Sequence, residues 1–114
     1  FPYKIKKNGK EIAEFPLSTM KILGYNIPVA GGGYLRISPY WFIRASIRRI
    51  NSKGHPGVAY LHPWEFDCNQ PKIVGRGLNR LRHYINLDKT ETKLKFLLED
   101  FKFQSIKNIK IAIK

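Results

Sequence analysis

Five residues without a charge, Gly57-Val58-Ala59-Tyr60-Leu61, stand between Pro56 and Pro63. Proline fixes φ and donates no backbone hydrogen bond, so this run reads as a short strand with abrupt ends. An apolar strand with no polar side needs cover on both faces. Just upstream, Ser38-Pro39 offers a capping hydroxyl followed by proline at the first helical position. Ile43, Ile47 and Ile50 then recur at i, i+4 and i+7, and Gly54 supplies the stop. A helix leading within a few residues into such a strand predicts an α/β fold.

The flanks add smaller elements. Residues 3–7 and 11–17 alternate around Asn8-Gly9, a two-residue hairpin signal, with Pro16 confining the second run to an edge or an end. Residues 20–29 read as another short extended stretch, followed by Gly31-Gly32-Gly33 as a tight turn or a place of close backbone approach. Leu78, Leu81 and Ile85 mark a short helix carrying Arg76, Arg80 and Arg82. Asp88 with Glu91 resembles a capping box ahead of Leu94, Leu97, Leu98 and Phe101. The tail through Ile109, Ile111 and Ile113 suits a strand or a helix. Residues 1–114 form one unit: strands and a Gly-rich loop over 1–37, a helix and strand over 38–67, and helices with a tail over 76–114.

A hydrophobic fraction of 43% is too high for a disordered chain, and a lone Cys68 excludes an internal disulfide framework. No apolar run approaches the ~20 residues needed to span a bilayer. The chain opens on phenylalanine and its one methionine is Met20, so a piece of a longer protein is expected. Lys plus Arg number 21 against 8 Asp plus Glu, a formal charge of +13. Such an excess raises nucleic acid as a partner. The cations, however, are scattered from Lys4 to Lys114 with no block of five and no nucleic-acid motif, which favours a solvated basic surface.

Chemistry concentrates in Tyr60-Leu61-His62-Pro63-Trp64-Glu65-Phe66-Asp67. A histidine closing an apolar strand lies where α/β enzymes place catalytic groups, and imidazole exchanges protons near neutral pH. Its plain alternative is a structural histidine bonded to backbone, with Trp64 capping the core. His55, His62 and His83 lack metal-ligand spacing, Cys68 has no placed base, and the triple glycine lacks the Lys-Ser/Thr of a phosphate loop.

Three segments together carry a resemblance: Leu61 to Asp67, Ile27-Pro28-Val29-Ala30-Gly31-Gly32-Gly33-Tyr34-Leu35-Arg36, and Leu81-Arg82-His83-Tyr84-Ile85-Asn86-Leu87-Asp88-Lys89-Thr90-Glu91. Over about residues 11 to 103 the chain resembles the C-terminal part of a bacterial polysaccharide deacetylase, related to the NodB type and associated with exopolysaccharide gene clusters. The resemblance implies the C-terminal part of a distorted (β/α) barrel. It also implies hydrolysis of N-acetyl groups on amino sugars, with a polysaccharide or oligosaccharide as substrate. The family's divalent metal, expected to be zinc, is held by motifs that do not occur in this sequence. The chain alone is therefore expected to be catalytically silent and to need the remaining part of the catalytic domain as its partner. The place in the cell that the family implies is the bacterial cytoplasm or envelope.

By that resemblance His62 is the acid that protonates the leaving amine and Leu61 lines the acyl pocket. Trp64 and Tyr34 would stack on sugar rings, and Arg36 would bind a polar substituent. Two rivals follow from the residues: a glycan-binding or scaffold module presenting Tyr34, Trp41 and Trp64, and a small basic nucleic-acid binder. Strand edges left open by such a fragment would favour self-association.

Overall fold

The computed structural model of the protein describes residues 2–71 and 83–109. Strands β1 (Tyr3–Lys7) and β2 (Lys10–Glu14) pair antiparallel about Asn8 and Gly9, with Ile5 opposite Ile12. Both turn residues take positive φ, 51° and 72°, as a tight two-residue hairpin requires. A second hairpin follows, β3 (Thr19–Ile22) with β4 (Tyr25–Pro28), where the sequence suggests a single extended stretch. Its turn is Leu23-Gly24, with φ of 48° and 86°. Leucine is disfavoured at positive φ, so nothing in its identity announces the turn.

Helix α1 (Gly32–Ile37) starts inside the triple glycine, where a turn is expected. Helix α2 (Tyr40–Ser52) follows directly, with Pro39 rather than Ser38 at the capping position and Gly54 at φ 74° just beyond the end. A 3-10 turn spans Pro63–Phe66, another spans Leu87–Lys89, and helix α3 (Thr90–Asp100) runs on from the second. Lys89 caps α3 without any side-chain bond, so the box expected from Asp88 and Glu91 does not form. A last 3-10 turn covers Ile106–Asn108. The helix read from Leu78 and Leu81, with Arg76, Arg80 and Arg82, and the end of the tail lie outside the described residues.

The core gathers Ala30, Leu35, Ile43, Ile47 and Leu97, with Tyr40, Ala59, Leu61 and Phe101 packed against it. Burying an aliphatic side chain of this size contributes roughly 1.5–3 kcal/mol, so the three helices depend on one another through this cluster. Ile43 and Ile47 of the α2 stripe join it, and Ile50 is buried beside them, as the spacing predicts. The stripe of α3 is narrower than predicted: Leu97 is sealed, while Leu98 is 56% exposed.

The fold is not part of a (β/α) barrel, and that expectation is corrected. Among the described residues the sheets are two separate two-stranded antiparallel hairpins, and no barrel closes. The run Gly57–Leu61 makes one isolated parallel bridge, Gly31 with Tyr60. In it Tyr60 N–H donates to the Ala30 carbonyl and Gly32 N–H to the Tyr60 carbonyl, each at 2.9 Å. The reason is where the other amides go. Val58 N–H donates to Ser18 Oγ at 2.7 Å and Gly57 N–H to Asn51 Oδ1 at 2.9 Å. Donors satisfied by side chains are not offered to a neighbouring strand, so the ladder does not extend back through Val58 and Gly57. Nor is the run sealed on both faces: Tyr60 is exposed and the others are half-buried.

Two polar clusters lock the helices. The Lys93 ammonium donates to the carbonyls of Leu35, Arg36 and Ser38 at 2.9, 2.7 and 2.8 Å, tying α3 to the C-terminal end of α1. A cation there also suits the helix dipole. At the far end of α3, Asp100 accepts from the Tyr40 hydroxyl at 2.6 Å and pairs with Arg44 at 2.8 Å. A carboxylate at a helix C-terminus is unfavourable alone, and these α2 partners offset that.

The hydrogen bond from Tyr40, then the Arg44 charge, hold the Asp100 carboxyl below its ordinary 3.8. A depressed carboxyl contributes stability that is present above 3.8 and lost as pH falls through the lower folded value. Asp100→Asn should therefore flatten the loss of thermal stability as pH falls below about 4. Identical acid profiles for variant and wild type would contradict the linkage. Lys93→Met should cost about 2 kcal/mol in urea unfolding, from the bonds of a charged donor.

Candidate functional site

The end of the run Gly57–Leu61 builds the site. In extended backbone successive side chains point to opposite sides. Leu61 accordingly packs against the core, while Tyr60 and His62 point away from it, their rings 4.6 Å apart and edge-on. Pro63 then opens the 3-10 turn, and Glu65 at its third position reaches back to accept from the His62 backbone N–H at 3.3 Å. This fixes the backbone that carries the imidazole.

Glu65 is 1% exposed and faces Arg36, 3% exposed, with Nη2 and Oε1 3.8 Å apart. Arg36 arrives from α1 and also donates from Nη1 to the His83 carbonyl. The Arg36 carbonyl in turn accepts from Asn86 Nδ2 at 3.2 Å. One buried ion pair thus joins α1, the Pro63–Phe66 turn and the segment leading to α3. Gly32 belongs to the same arrangement. Its φ is +41°, and a Cβ there would sit 3.0 Å from Glu65 Oε1.

Above the pair three rings lie in a row. Trp64 and His83 stack at 4.2 Å and 13°, and His62 lies nearly parallel to Trp64 at 6.0 Å. The Arg36 guanidinium carbon is 5.1 Å from the Trp64 ring centre, within cation–π range. Together Gly32, Gly33, Arg36, His62, Trp64, Glu65 and His83 line an open cleft of about 280 Å³. The Tyr60 hydroxyl is 3.5 Å from His62 Nδ1, at the outer limit for a hydrogen bond.

Of the residues singled out in the sequence, His62, Trp64 and Arg36 meet at this cleft. Leu61 does not line it, because the alternation turns it into the core. Tyr34 is exposed on α1 and does not line it either. Arg36 lines the cleft with its guanidinium committed to Glu65 and the His83 carbonyl, and His83 covers one face of the Trp64 indole. Gly32, Gly33, Glu65 and His83 also line the cleft, and none of the four is among the site residues expected from the sequence. A signal for Glu65 existed: proline opening a turn with glutamate two residues later is half of a capping box.

Among the described residues no three His, Cys, Asp or Glu side chains gather as a metal-holding set. The metal that the resemblance implies therefore has no fitting ligand set among these residues. No described helix is long and apolar enough to cross a membrane.

Glu65→Ala leaves a buried guanidinium without its counter-charge and should cost about 3–5 kcal/mol in chemical unfolding. Arg36→Met combined with Glu65→Leu should recover most of that loss. A double variant as unstable as Glu65→Ala would contradict the pairing.

The chain matches the family described as Domain of unknown function (DUF3473) over residues 1–110. That family is known as a C-terminal domain of polysaccharide deacetylases. No curated protein and no solved structure matches the chain. With the match covering nearly its whole length, the chain belongs to the DUF3473 family.

Proposed function

We propose that this domain serves a polysaccharide deacetylase of the NodB type that removes N-acetyl groups from amino sugars, and that His62 is its proton donor. The observation that carries the reading is the His62 imidazole on an open cleft, its backbone held by Glu65 and its Nδ1 beside the Tyr60 hydroxyl. In amide hydrolysis water adds to the acyl carbon, the C–N bond breaks, and the nitrogen must gain a proton to leave as an amine. An imidazolium at Nε2 can give that proton at neutral pH and recover it from the attacking water. The remaining catalytic groups would come from the catalytic domain that this one accompanies. The Trp64–His83 stack supports the imidazole laterally and narrows the cleft on one side.

A glycan-binding role without catalysis is the second reading, and Trp41 favours it. Its indole is 71% exposed at the start of α2, where burial beneath the helix would count against an aromatic platform.

The two separate on kinetics of the full-length protein with chitooligosaccharide. His62→Ala should lower kcat by about 10² or more, the usual contribution of a positioned acid. An unchanged kcat would refute the donor assignment. If Trp41→Ala instead raises KM with kcat intact, the binding role stands.

A further inference from the structure

A second cleft, of about 290 Å³, lies between β3 and the C-terminal half of α2, away from His62. Three cations line it: Lys21 from β3, Arg49 from α2, and Lys53 just past the helix end. None of them takes part in an ion pair among the described residues, and no Asp or Glu lines the cleft. The helix dipole accounts for cations near the end of α2. It does not account for Lys21, brought to the same cavity from a different element. Like charges gathered around one concavity repel, and an anion placed among them relieves that repulsion.

The rest of the lining narrows the ligand. It contains no aromatic side chain, so the stacking surface on which nucleobases are held is missing. Thr19 and Asn26 offer a hydroxyl and an amide, which suit ligand hydroxyls. Pro16 and Pro56 give rigid apolar walls, and the volume is small for a ligand site. We infer that this cleft binds one acidic sugar unit of a polysaccharide, its carboxylate held by Lys21, Arg49 and Lys53. The anion follows from the cations alone. The choice of a sugar as its carrier rests on the glycan reading above, while the site is separate from that of His62.

The test is calorimetric titration of the protein with trigalacturonate, chitotriose, inorganic phosphate and a thymidine trinucleotide at low salt. Trigalacturonate should bind, should weaken steeply with salt, and should lose at least tenfold in affinity in Lys21→Ala/Arg49→Ala/Lys53→Ala. All three residues are exposed, so the variant retains the core. His62→Ala should leave this affinity unchanged, so a failed donor assignment does not move the result. Absence of binding, equal affinity in the triple variant, or tighter binding of phosphate or the trinucleotide by the same cations would overturn the proposal.

Discussion

A guanidinium and a carboxylate, both sealed from water, hold the cleft beside His62 together. Arg36 and Glu65 come from elements 29 residues apart, and each also grips backbone: Glu65 at His62, Arg36 at His83. Removing two charges from water is costly, and a hydrophobic pair of similar volume often serves stability as well or better. What such a pair supplies is position. The carboxylate accepts only where donors point at it, so the 3-10 turn has one docking geometry against α1. Gly32 is part of that constraint, since any side chain there would press on the same carboxylate.

The position so fixed decides which residues meet. Alternation along the extended segment sends Leu61 into the core and His62 outward, and the turn sets Trp64 beside it. The segment ending in His62 touches its neighbour through one bridge only, Gly31 with Tyr60, yet that bridge brings the start of α1 under the imidazole. A barrel is not needed to create this juxtaposition. The core of α1, α2 and α3, closed at one end by Lys93 and at the other by Asp100, is enough to support it.

Much of the local structure is legible in the sequence because local rules govern it. Asn8-Gly9 dictates a turn by its φ preferences, and the isoleucines of α2 declare one apolar stripe. Leu23-Gly24 escapes such rules, since leucine at positive φ is imposed by the pairing of β3 with β4. The apolar run Gly57–Leu61 looks like a buried strand because composition reports burial, not where amides find acceptors. Ser18 and Asn51 are those acceptors: Ser18 is hidden by its 40-residue separation from Val58, and Asn51 by being a side chain at a helix end rather than a strand. At the site, His62, Trp64 and Arg36 are visible as residue types suited to chemistry. That Arg36 is consumed internally by Glu65 is a tertiary fact with no local signature.

The proposed donor role requires the His62 imidazole to reach a sugar nitrogen. The most direct measurement is a crystal structure of the full-length protein with a glucosamine oligomer, the product of deacetylation, bound. The donor role predicts an amine nitrogen within about 3 Å of His62 Nε2, the reach of a general acid. A product bound elsewhere, with that nitrogen beyond any contact with the imidazole, would contradict it.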